Sequence, residues 1–310
     1  MRLLTADSET SSMPKSLSPD DATGETIESL KRARPLRVML PHLERLCQPQ
    51  SESFWVLGGR PGAFKTAMLW NLALNAAERG HRVMFVTLEM TPAEMALLAL
   101  AKFSGLPRNR IKAHFQPLEP APFDTLQRQA WDRAMLRFQG LEMHLRIHGA
   151  DQNGRDLNDV IRSACRARFD AVMVDHLGMI GRDSGGRELD VLSQAIHRLR
   201  GLSRGEAAKG YRPWVVATSQ LNREIDKGDE DRIPRLSDFR GSSRIEHDAD
   251  VAVGLQKRRG QEDDAGVSIL DGFVLKNRNG PCPAVLSWSA NGETGLISQR
   301  EQQRNGGDEA

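Results

Sequence analysis

A glycine-rich segment between a predicted strand and a predicted helix has the composition of a phosphate-binding loop. Residues 59–66 (GRPGAFKT) end the apolar run FWVLGG and open the helical run TAMLWNLALNAAERG. Backbone N–H groups at a helix N-terminus bind phosphate oxygens, a lysine adds positive charge, and a threonine hydroxyl ligates Mg²⁺. The order matches the Walker A pattern, except that Phe64 stands where that pattern has glycine. The predicted phosphate-binding residues are Gly59, Arg60, Pro61, Gly62, Ala63, Phe64, Lys65, Thr66 and Ala67.

Polar side chains end three other predicted strands. Glu89 follows the run VMFVTL, Asp175 ends AVMVD, and Gln220 ends WVVATSQ. Because the carboxyl ends of parallel strands meet at one edge of a sheet, we expect these side chains to lie beside the loop. There Glu89 would orient the water that attacks the terminal phosphate, Asp175 would hold Mg²⁺ with Thr66, and the Gln220 amide would donate to the phosphate. Taken singly, such residues also occur as helix caps or polar strand ends, but together they predict nucleoside triphosphate hydrolysis.

Two basic residues near the C-terminus adjoin a turn signal. Lys276 and Arg278 precede Asn279-Gly280, a dipeptide typical of hairpin turns. Residues two apart in an extended segment point to the same side, so both can project beyond their own domain. A guanidinium that reaches a transferring phosphate acts as an arginine finger. Taken alone, the pair also fits the solvated end of a hairpin.

The segment 235–247 (RLSDFRGSSRIEH) combines arginines with small residues. Backbone N–H groups, hydroxyls and guanidinium groups bind phosphates without reading bases. The segment therefore predicts contact with a nucleic-acid backbone, and a mobile surface loop is the alternative interpretation. The predicted contact residues are Arg240, Gly241, Ser243 and Arg244.

Predicted strands alternate with predicted helices between residues 54 and 297. This order is typical of an α/β fold with a mostly parallel, twisted sheet and helices on both faces. The last strand-like runs, DVAVGLQ, SILDGFVLK and AVLSWS, predict an antiparallel C-terminal extension. We expect one domain over residues 36–297, a disordered tail with a short linker helix over 1–35, and a second disordered tail over 298–310. The linker helix is either a surface element or an arm that docks on a neighbouring subunit.

The overall composition excludes several classes of protein. The 310 residues carry 43 Lys plus Arg against 41 Asp plus Glu, a formal net charge of +2, so the chain is not a basic coat for nucleic acid. Three separated cysteines (Cys47, Cys165, Cys282) cannot build a disulfide framework or a four-thiolate metal site, and His176 is interpreted as an ordinary polar residue. No apolar run has the length of a membrane span and no signal peptide precedes the loop, so we expect a cytoplasmic protein without membrane contact.

Six motifs occur in an order that resembles a known family. They are the loop at 59–66, LEM at 88–90, VDHL at 174–177, SQLNR at 219–223, RLSDFRGSSRIEHDADV at 235–251 and KNRNGP at 276–281. Over roughly residues 36–297 they resemble the RecA-like motor domain of DnaB-type replicative hexameric helicases. The resemblance implies a P-loop NTPase fold, a homohexameric ring with ATP and Mg²⁺ at the subunit interfaces, and single-stranded DNA in the central channel. It also implies ATP-driven unwinding of duplex DNA during replication, and contacts with other replication proteins.

The resemblance assigns roles to individual residues. The family's nucleotide loop corresponds to Lys65 and Thr66, and its catalytic carboxylate corresponds to Glu89. Its Walker B acid corresponds to Asp175, and its γ-phosphate sensor corresponds to Gln220. The basic residues that reach into the ATP site of the neighbouring subunit correspond to Lys276 and Arg278. The loop that contacts the DNA backbone corresponds to Arg240, Gly241 and Ser243.

Three features depart from the family's pattern. Phe64 replaces the loop glycine, and Leu98 stands where relatives often carry an arginine that helps hold the γ-phosphate. About 35 largely polar residues precede the motor, whereas the full family has a large helical N-terminal domain that contacts primase. We therefore expect no primase contact through such a domain, and an architecture like that of phage or plasmid relatives.

Two other functions remain open at the level of the sequence. One is a RecA- or KaiC-like ATPase that forms filaments or switches without unwinding DNA, although SQLNR and KNRNGP favour the helicase. The other is a non-catalytic DnaB-like ring subunit that binds nucleotide or DNA, which Phe64 and Leu98 favour. That second alternative is opposed by four retained residues, which a decayed site would have lost: Lys65, Glu89, Asp175 and Arg278.

Overall fold

The computed structural model describes residues 33–300 except 117, 119, 150–155, 181–187, 223–231 and 264–265, together with isolated positions between 19 and 31. The chain divides into two units, Met1–Arg34 and Pro35–Ala310, and the architecture below is that of the second. Most of the predicted N-terminal tail with its linker helix, and residues 301–310 of the C-terminal tail, lie outside the described residues. The predicted domain boundaries therefore stay predictions.

A nine-stranded sheet forms the centre of the fold. Its strands are β1 (Phe54–Gly59), β2 (Val83–Thr87), β3 (Leu145–Gly149), β4 (Ala171–Asp175), β5 (Trp214–Gln220), β6 (Val251–Glu262), β7 (Val267–Asn277), β8 (Ala284–Asn291) and β9 (Ile297–Gln299). Across the sheet their order is β3-β2-β4-β5-β1-β6-β7-β8-β9. Strands β1 to β6 pair in parallel, and β6 to β9 pair antiparallel. The predicted fold class, a mostly parallel α/β sheet with an antiparallel extension, is confirmed.

Helices connect the parallel strands and cover both faces of the sheet. They are α1 (Pro41–Cys47), α2 (Lys65–Glu78), α3 (Pro92–Ser104), α4 (Arg108–His114), α5 (Thr125–Gln139), α6 (Leu157–Ala167), α7 (Glu188–Arg204) and α8 (Ser242–Asp248). Thr91 caps α3 in a capping box with Glu94, and Asp124 caps α5 in the same way. The sequence does not predict α1, α4 and α8, because seven residues are too few to show a helical period. Among the described residues, no helix has both the length and the apolar character needed to cross a bilayer.

The direction of β6 differs from the prediction. The sequence predicts DVAVGLQ as the first antiparallel strand, but residues 55–59 of β1 pair in parallel with residues 251–255. The chain between β5 and β6 passes through α8, and a crossover of this kind returns the next strand in the same direction. The antiparallel part therefore begins with the hairpin of β6 and β7. Helix α7 ends at Arg204 rather than at 209, because Gly205 takes a left-handed φ of +81°.

Both faces of the sheet are buried, as expected for parallel strands. Along β1, Trp55 and Leu57 join a cluster with residues of α2 and α3, whereas Phe54 and Val56 join a cluster with residues of α6 and α7. This alternation follows from the twofold period of a strand. The buried amide of Asn71 in α2 donates to the Gly295 carbonyl at 2.7 Å and accepts from the Ile297 N–H at 3.2 Å. These bonds attach the start of β9 to the helix that follows the phosphate loop.

We expect Gly58→Ala to destabilise the fold, because a Cβ at this position would lie 2.2 Å from Cε1 of the buried Phe239. Overpacking of this kind costs about 1–3 kcal/mol. Urea unfolding should show a lower midpoint, while the free energy of unfolding should depend on urea concentration as steeply as in the wild type. Gly24→Ala is the matched control, since nothing lies within 4 Å of a Cβ at that position. An unchanged midpoint for Gly58→Ala would contradict this packing.

Candidate active site

The carboxyl ends of β1, β2, β4 and β5 form one edge of the sheet beside a cavity of about 350 Å³. Strand pairing places Gly59 level with Gln220, and Thr87 level with Asp175. The predicted residues that line the cavity are Pro61, Gly62, Ala63, Phe64, Lys65, Thr66, Ala67, Glu89, Asp175 and Gln220. The structure thus brings the phosphate loop and the polar strand ends together, in a space of the size typical of small-ligand sites.

The loop before α2 has the geometry of an anion site. Gly62 takes a left-handed φ of +78°, and Lys65 is the first residue of α2. The Lys65 ammonium donates to the Arg60 carbonyl at 2.8 Å. Burial lowers the pKa of Lys65, while the Asp175 and Glu89 carboxylates act in the opposite direction. A partly desolvated ammonium beside the first N–H groups of a helix attracts phosphate more strongly than an exposed lysine does.

Phe64 adopts the backbone conformation that the expected glycine would supply. Its φ of 56° and ψ of 23° lie in the left-handed region, immediately before the first turn of α2. A side chain in that region costs about 1–2 kcal/mol. The ring packs, partly buried, against the core cluster of α2, and its centroid lies 5.9 Å from Lys257 Nζ. The loop therefore keeps a phosphate-loop shape, with strain in the backbone at Phe64.

Two hydroxyl groups hold the carboxylate of Asp175, which is 1 % exposed. Thr66 Oγ1 donates to Oδ2 at 2.7 Å, and Thr218 Oγ1 donates to Oδ1 at 2.5 Å. Oxygen ligands of this kind suit Mg²⁺, which takes few protein ligands and keeps several waters. Thr66 and Asp175 therefore fit a magnesium ion, and Thr218 fixes the orientation of the carboxylate.

A carboxylate, an imidazole and an amide adjoin Asp175. The side chain of Glu89 is 59 % exposed, and its Oε2 lies 3.7 Å from His176 Nε2. Gln220 Nε2 lies 3.5 Å from the same ring nitrogen. The exposed carboxylate can contact a water in the cavity, as a general base for hydrolysis must.

The sequence analysis does not predict three polar side chains of the site: Arg108, His176 and Thr218. The Arg108 guanidinium lines the cavity and donates to the carbonyls of Gly292 at 2.9 Å and Glu293 at 3.1 Å. The partner at Gly292 lies 184 positions away, so no local signal could identify Arg108. Thr218 has a usable signal, because residues two apart on a strand share a face and Gln220 was already predicted to face the site.

Leu98 stands on the wall of the same cavity. It is a buried residue of α3. An apolar side chain offers no hydrogen bond to a phosphate, so the arginine contact expected at this position from the family's pattern is missing.

Lys276 and Arg278 do not belong to the residues that line this cavity. Both point to the C-terminal end of α8, where Lys276 Nζ donates to the Glu246 carbonyl and Arg278 Nη2 donates to the His247 carbonyl. Burial, followed by the neighbouring Arg278 charge, lowers the pKa of Lys276. The two side chains share one side, as the spacing predicts.

The predicted nucleic-acid contacts lie at the start of α8: Arg240, Gly241, Ser243 and Arg244. Ser243 is exposed. Arg240 forms an ion pair with Glu188 at 2.5 Å, and Arg244 forms one with Asp248 at 2.5 Å. Contact with a phosphate backbone would therefore compete with Glu188 and Asp248 for the two guanidinium groups.

Comparison with known proteins finds similarity over most of the chain. Residues 38–292 match the family described as DnaB-like helicase C terminal domain. A "Probable plasmid replicative DNA helicase" of Chlamydia psittaci is 29 % identical over 238 residues, which cover 74 % of this chain and 47 % of that protein. The "Replicative DNA helicase DnaB" of Geobacillus stearothermophilus is 25 % identical over 246 residues, which cover 76 % of this chain and 50 % of that protein. The chain spans about half the length of the curated relatives it matches.

Solved structures share the same architecture. The chain in "The Structure Of A DnaB-Like Replicative Helicase And Its Interactions With Primase" matches with a TM-score of 0.74 at 22 % identity, over 93 % of this chain and 68 % of that chain. A solved structure of an isolated ATPase domain matches with a TM-score of 0.74 at 22 % identity, over 93 % of this chain and 100 % of that chain. Identity at this level supports a common fold.

We expect Phe64→Gly to be more stable than Phe64→Ala by about 1 kcal/mol, because both variants lose the ring but only glycine relieves the left-handed backbone. Urea unfolding without nucleotide measures the difference. Ala63→Gly is the control, since the φ of Ala63 is not positive and the same exchange should lower stability there. Equal stability of the two Phe64 variants would contradict the strain at this residue.

Proposed function

The chain belongs to the family of DnaB-like helicase C-terminal domains, and from that membership we propose that it is an ATP-driven motor that moves along single-stranded DNA and unwinds duplex DNA. The observation that carries the proposal is the convergence of Lys65, Glu89, Asp175 and Gln220 on one cavity. The names of the relatives, replicative DNA helicases, support DNA as the substrate. The name of the similar solved structure, which mentions interactions with primase, supports other replication proteins as partners.

Hydrolysis in this proposal needs an aligned water and compensation of the developing charge. Glu89 orients the water and takes its proton as the oxygen attacks the γ-phosphorus, and the bond from that phosphorus to the β,γ-bridging oxygen breaks. Lys65 and the N–H groups of the loop stabilise the negative charge on the phosphate oxygens. Thr66 and Asp175 would hold Mg²⁺, whose positive charge would add to that of Lys65. The Gln220 amide donates to the γ-phosphate and loses this partner when the phosphate leaves.

A second copy of the chain completes the site in this proposal. Lys276 and Arg278 lie outside the cavity of their own chain, at the surface where α8 ends. If Arg278 leaves the His247 carbonyl, its guanidinium can stabilise charge on the ATP of a neighbouring copy. A ring of six copies, as the family resemblance implies, would give every cavity such a neighbour.

Two hydrogen bonds connect the predicted γ-phosphate sensor and its neighbour to the segment that is predicted to bind DNA. The Arg240 N–H donates to the Gln220 carbonyl at 3.1 Å, and Ser219 Oγ donates to the Arg240 carbonyl at 3.4 Å. The residue whose amide faces the γ-phosphate is therefore bonded directly to the segment that carries Arg240 and Ser243. Phosphate release that moves Gln220 would shift this segment along the DNA backbone.

We expect Lys65→Ala to abolish ATP binding and Glu89→Gln to keep ATP binding while lowering kcat by about 10²- to 10⁴-fold. A steady-state ATPase assay with and without single-stranded DNA, together with ATP binding by fluorescence, measures both effects. Glu142→Gln is the matched control, because Glu142 is exposed in the turn before β3, away from the cavity. Unchanged turnover in both active-site variants would contradict the assignment.

The same assays separate the alternative functions. The strained Phe64 and the apolar Leu98 favour a non-catalytic ring subunit, which would bind ATP or DNA without DNA-stimulated turnover. A RecA- or KaiC-like ATPase would hydrolyse ATP but leave a forked DNA substrate intact. Unwinding of the fork by the wild-type chain, lost in Glu89→Gln, supports the helicase over both.

We expect a mixture of Arg278→Ala and Lys65→Ala chains to regain ATPase activity that neither variant has alone. In a mixed oligomer, the intact Lys65 of one chain meets the intact Arg278 of its neighbour. Turnover measured against the mixing ratio should pass through a maximum. No gain at any ratio, with oligomers present, would contradict a site shared between two copies.

A further inference from the structure

His176 occupies a buried position between two of the residues assigned to hydrolysis. It follows Asp175 at the end of β4 and is 7 % exposed. Its ring lines the cavity, together with Glu89 from the end of β2 and Gln220 from the end of β5. One imidazole therefore adjoins polar residues from both strands that flank β4 in the sheet.

The contact at Nδ1 determines which ring nitrogen carries the proton. The Gly178 N–H donates to Nδ1 at 3.1 Å, so Nδ1 is an acceptor and the neutral ring carries its proton on Nε2. Nε2 faces Glu89 Oε2 at 3.7 Å and the Gln220 amide at 3.5 Å. A small rotation of the exposed Glu89 side chain brings its carboxylate within hydrogen-bond distance of the Nε2–H.

Glu89 has few other restraints. Its side chain is 59 % exposed, and among the described residues His176 is the one basic side chain with a nitrogen within 4.0 Å of its carboxylate. An exposed glutamate populates several rotamers, and only those that align the water are useful in the transition state. A fixed donor on one carboxylate oxygen would select such a rotamer and leave the other oxygen to accept the proton of the water.

We propose that His176 is a positioning residue for the hydrolysis assigned to this site, which orients the Glu89 carboxylate through Nε2–H. The role rests on the proposed ATPase function and adds a specific device to it. His176 acts through Glu89 and not on the nucleotide, so its loss affects kcat and leaves ATP affinity unchanged.

Three substitutions at His176 separate positioning from a merely structural role. Gln reaches the place of Nε2 and can still donate to Glu89, whereas Asn reaches only the place of Nδ1 and can still accept from the Gly178 N–H. Leu can do neither. We expect His176→Leu and His176→Asn to lower kcat by about 10- to 100-fold, which corresponds to one lost hydrogen bond to a charged group, and His176→Gln to recover most of it. ATP binding by fluorescence should be equal in all four chains.

Combination with Glu89→Gln gives the second measurement. If His176 acts through Glu89, His176→Leu should lower kcat in the wild-type background but cause no further loss in the Glu89→Gln background. Equal losses in the two backgrounds, or recovery by Asn instead of Gln, would overturn the proposal and indicate a structural role for the Gly178 contact. Wild-type kcat in His176→Leu would overturn this proposal alone. Absence of turnover in the wild-type chain would instead overturn the proposed function and this role with it.

Discussion

The carboxylate of Asp175 is the group on which the rest of the site depends. It is almost fully buried at the end of an apolar strand, where a charge without partners would strongly destabilise the fold. The hydroxyls of Thr66 and Thr218 satisfy its two oxygens, so one side chain connects the first turn of α2 to β4 and β5. These contacts set the separation between the loop and the sheet edge. The position of the loop relative to the sheet edge, and with it the cavity of about 350 Å³, thus follows from the need to satisfy one buried charge.

Many of the elements can be predicted from the sequence, because their signals are local. Apolar runs of five to seven residues give β1, β2, β4 and β5, and polar residues at their ends give Glu89, Asp175 and Gln220 as candidates. The six ordered motifs give the family, and the match over residues 38–292 confirms it. The fold class is also confirmed, whereas the catalytic, metal-binding and DNA-binding roles of individual residues remain predictions that the geometry supports.

The features of the fold and the site that the sequence does not predict depend mostly on contacts between distant parts of the chain. The direction of β6 is determined by the crossover through α8, and the place of Arg108 by the carbonyls of the turn after β8. The motif VDHL does not indicate that His176 lies beside the ends of β2 and β5. Phe64 is a different case: the sequence shows the departure from glycine, but only the backbone shows that the loop keeps its shape and that strain remains at the residue.

The strand order has a consequence for how the site is made during synthesis. Strand β1, which leads into the phosphate loop, lies between β5 and β6, and the N–H of Phe54 bonds to the carboxylate of Asp250, 196 positions later. At a translation rate of about 5–20 residues per second, the ribosome needs on the order of 10–40 s to supply that partner. Until β5 and β6 have both been made, β1 lacks its full set of neighbours in the sheet. Residues 59–66 are therefore synthesised well before the strands that hold β1 in the sheet, and a chaperone that shields the apolar residues of β1 would act in that interval.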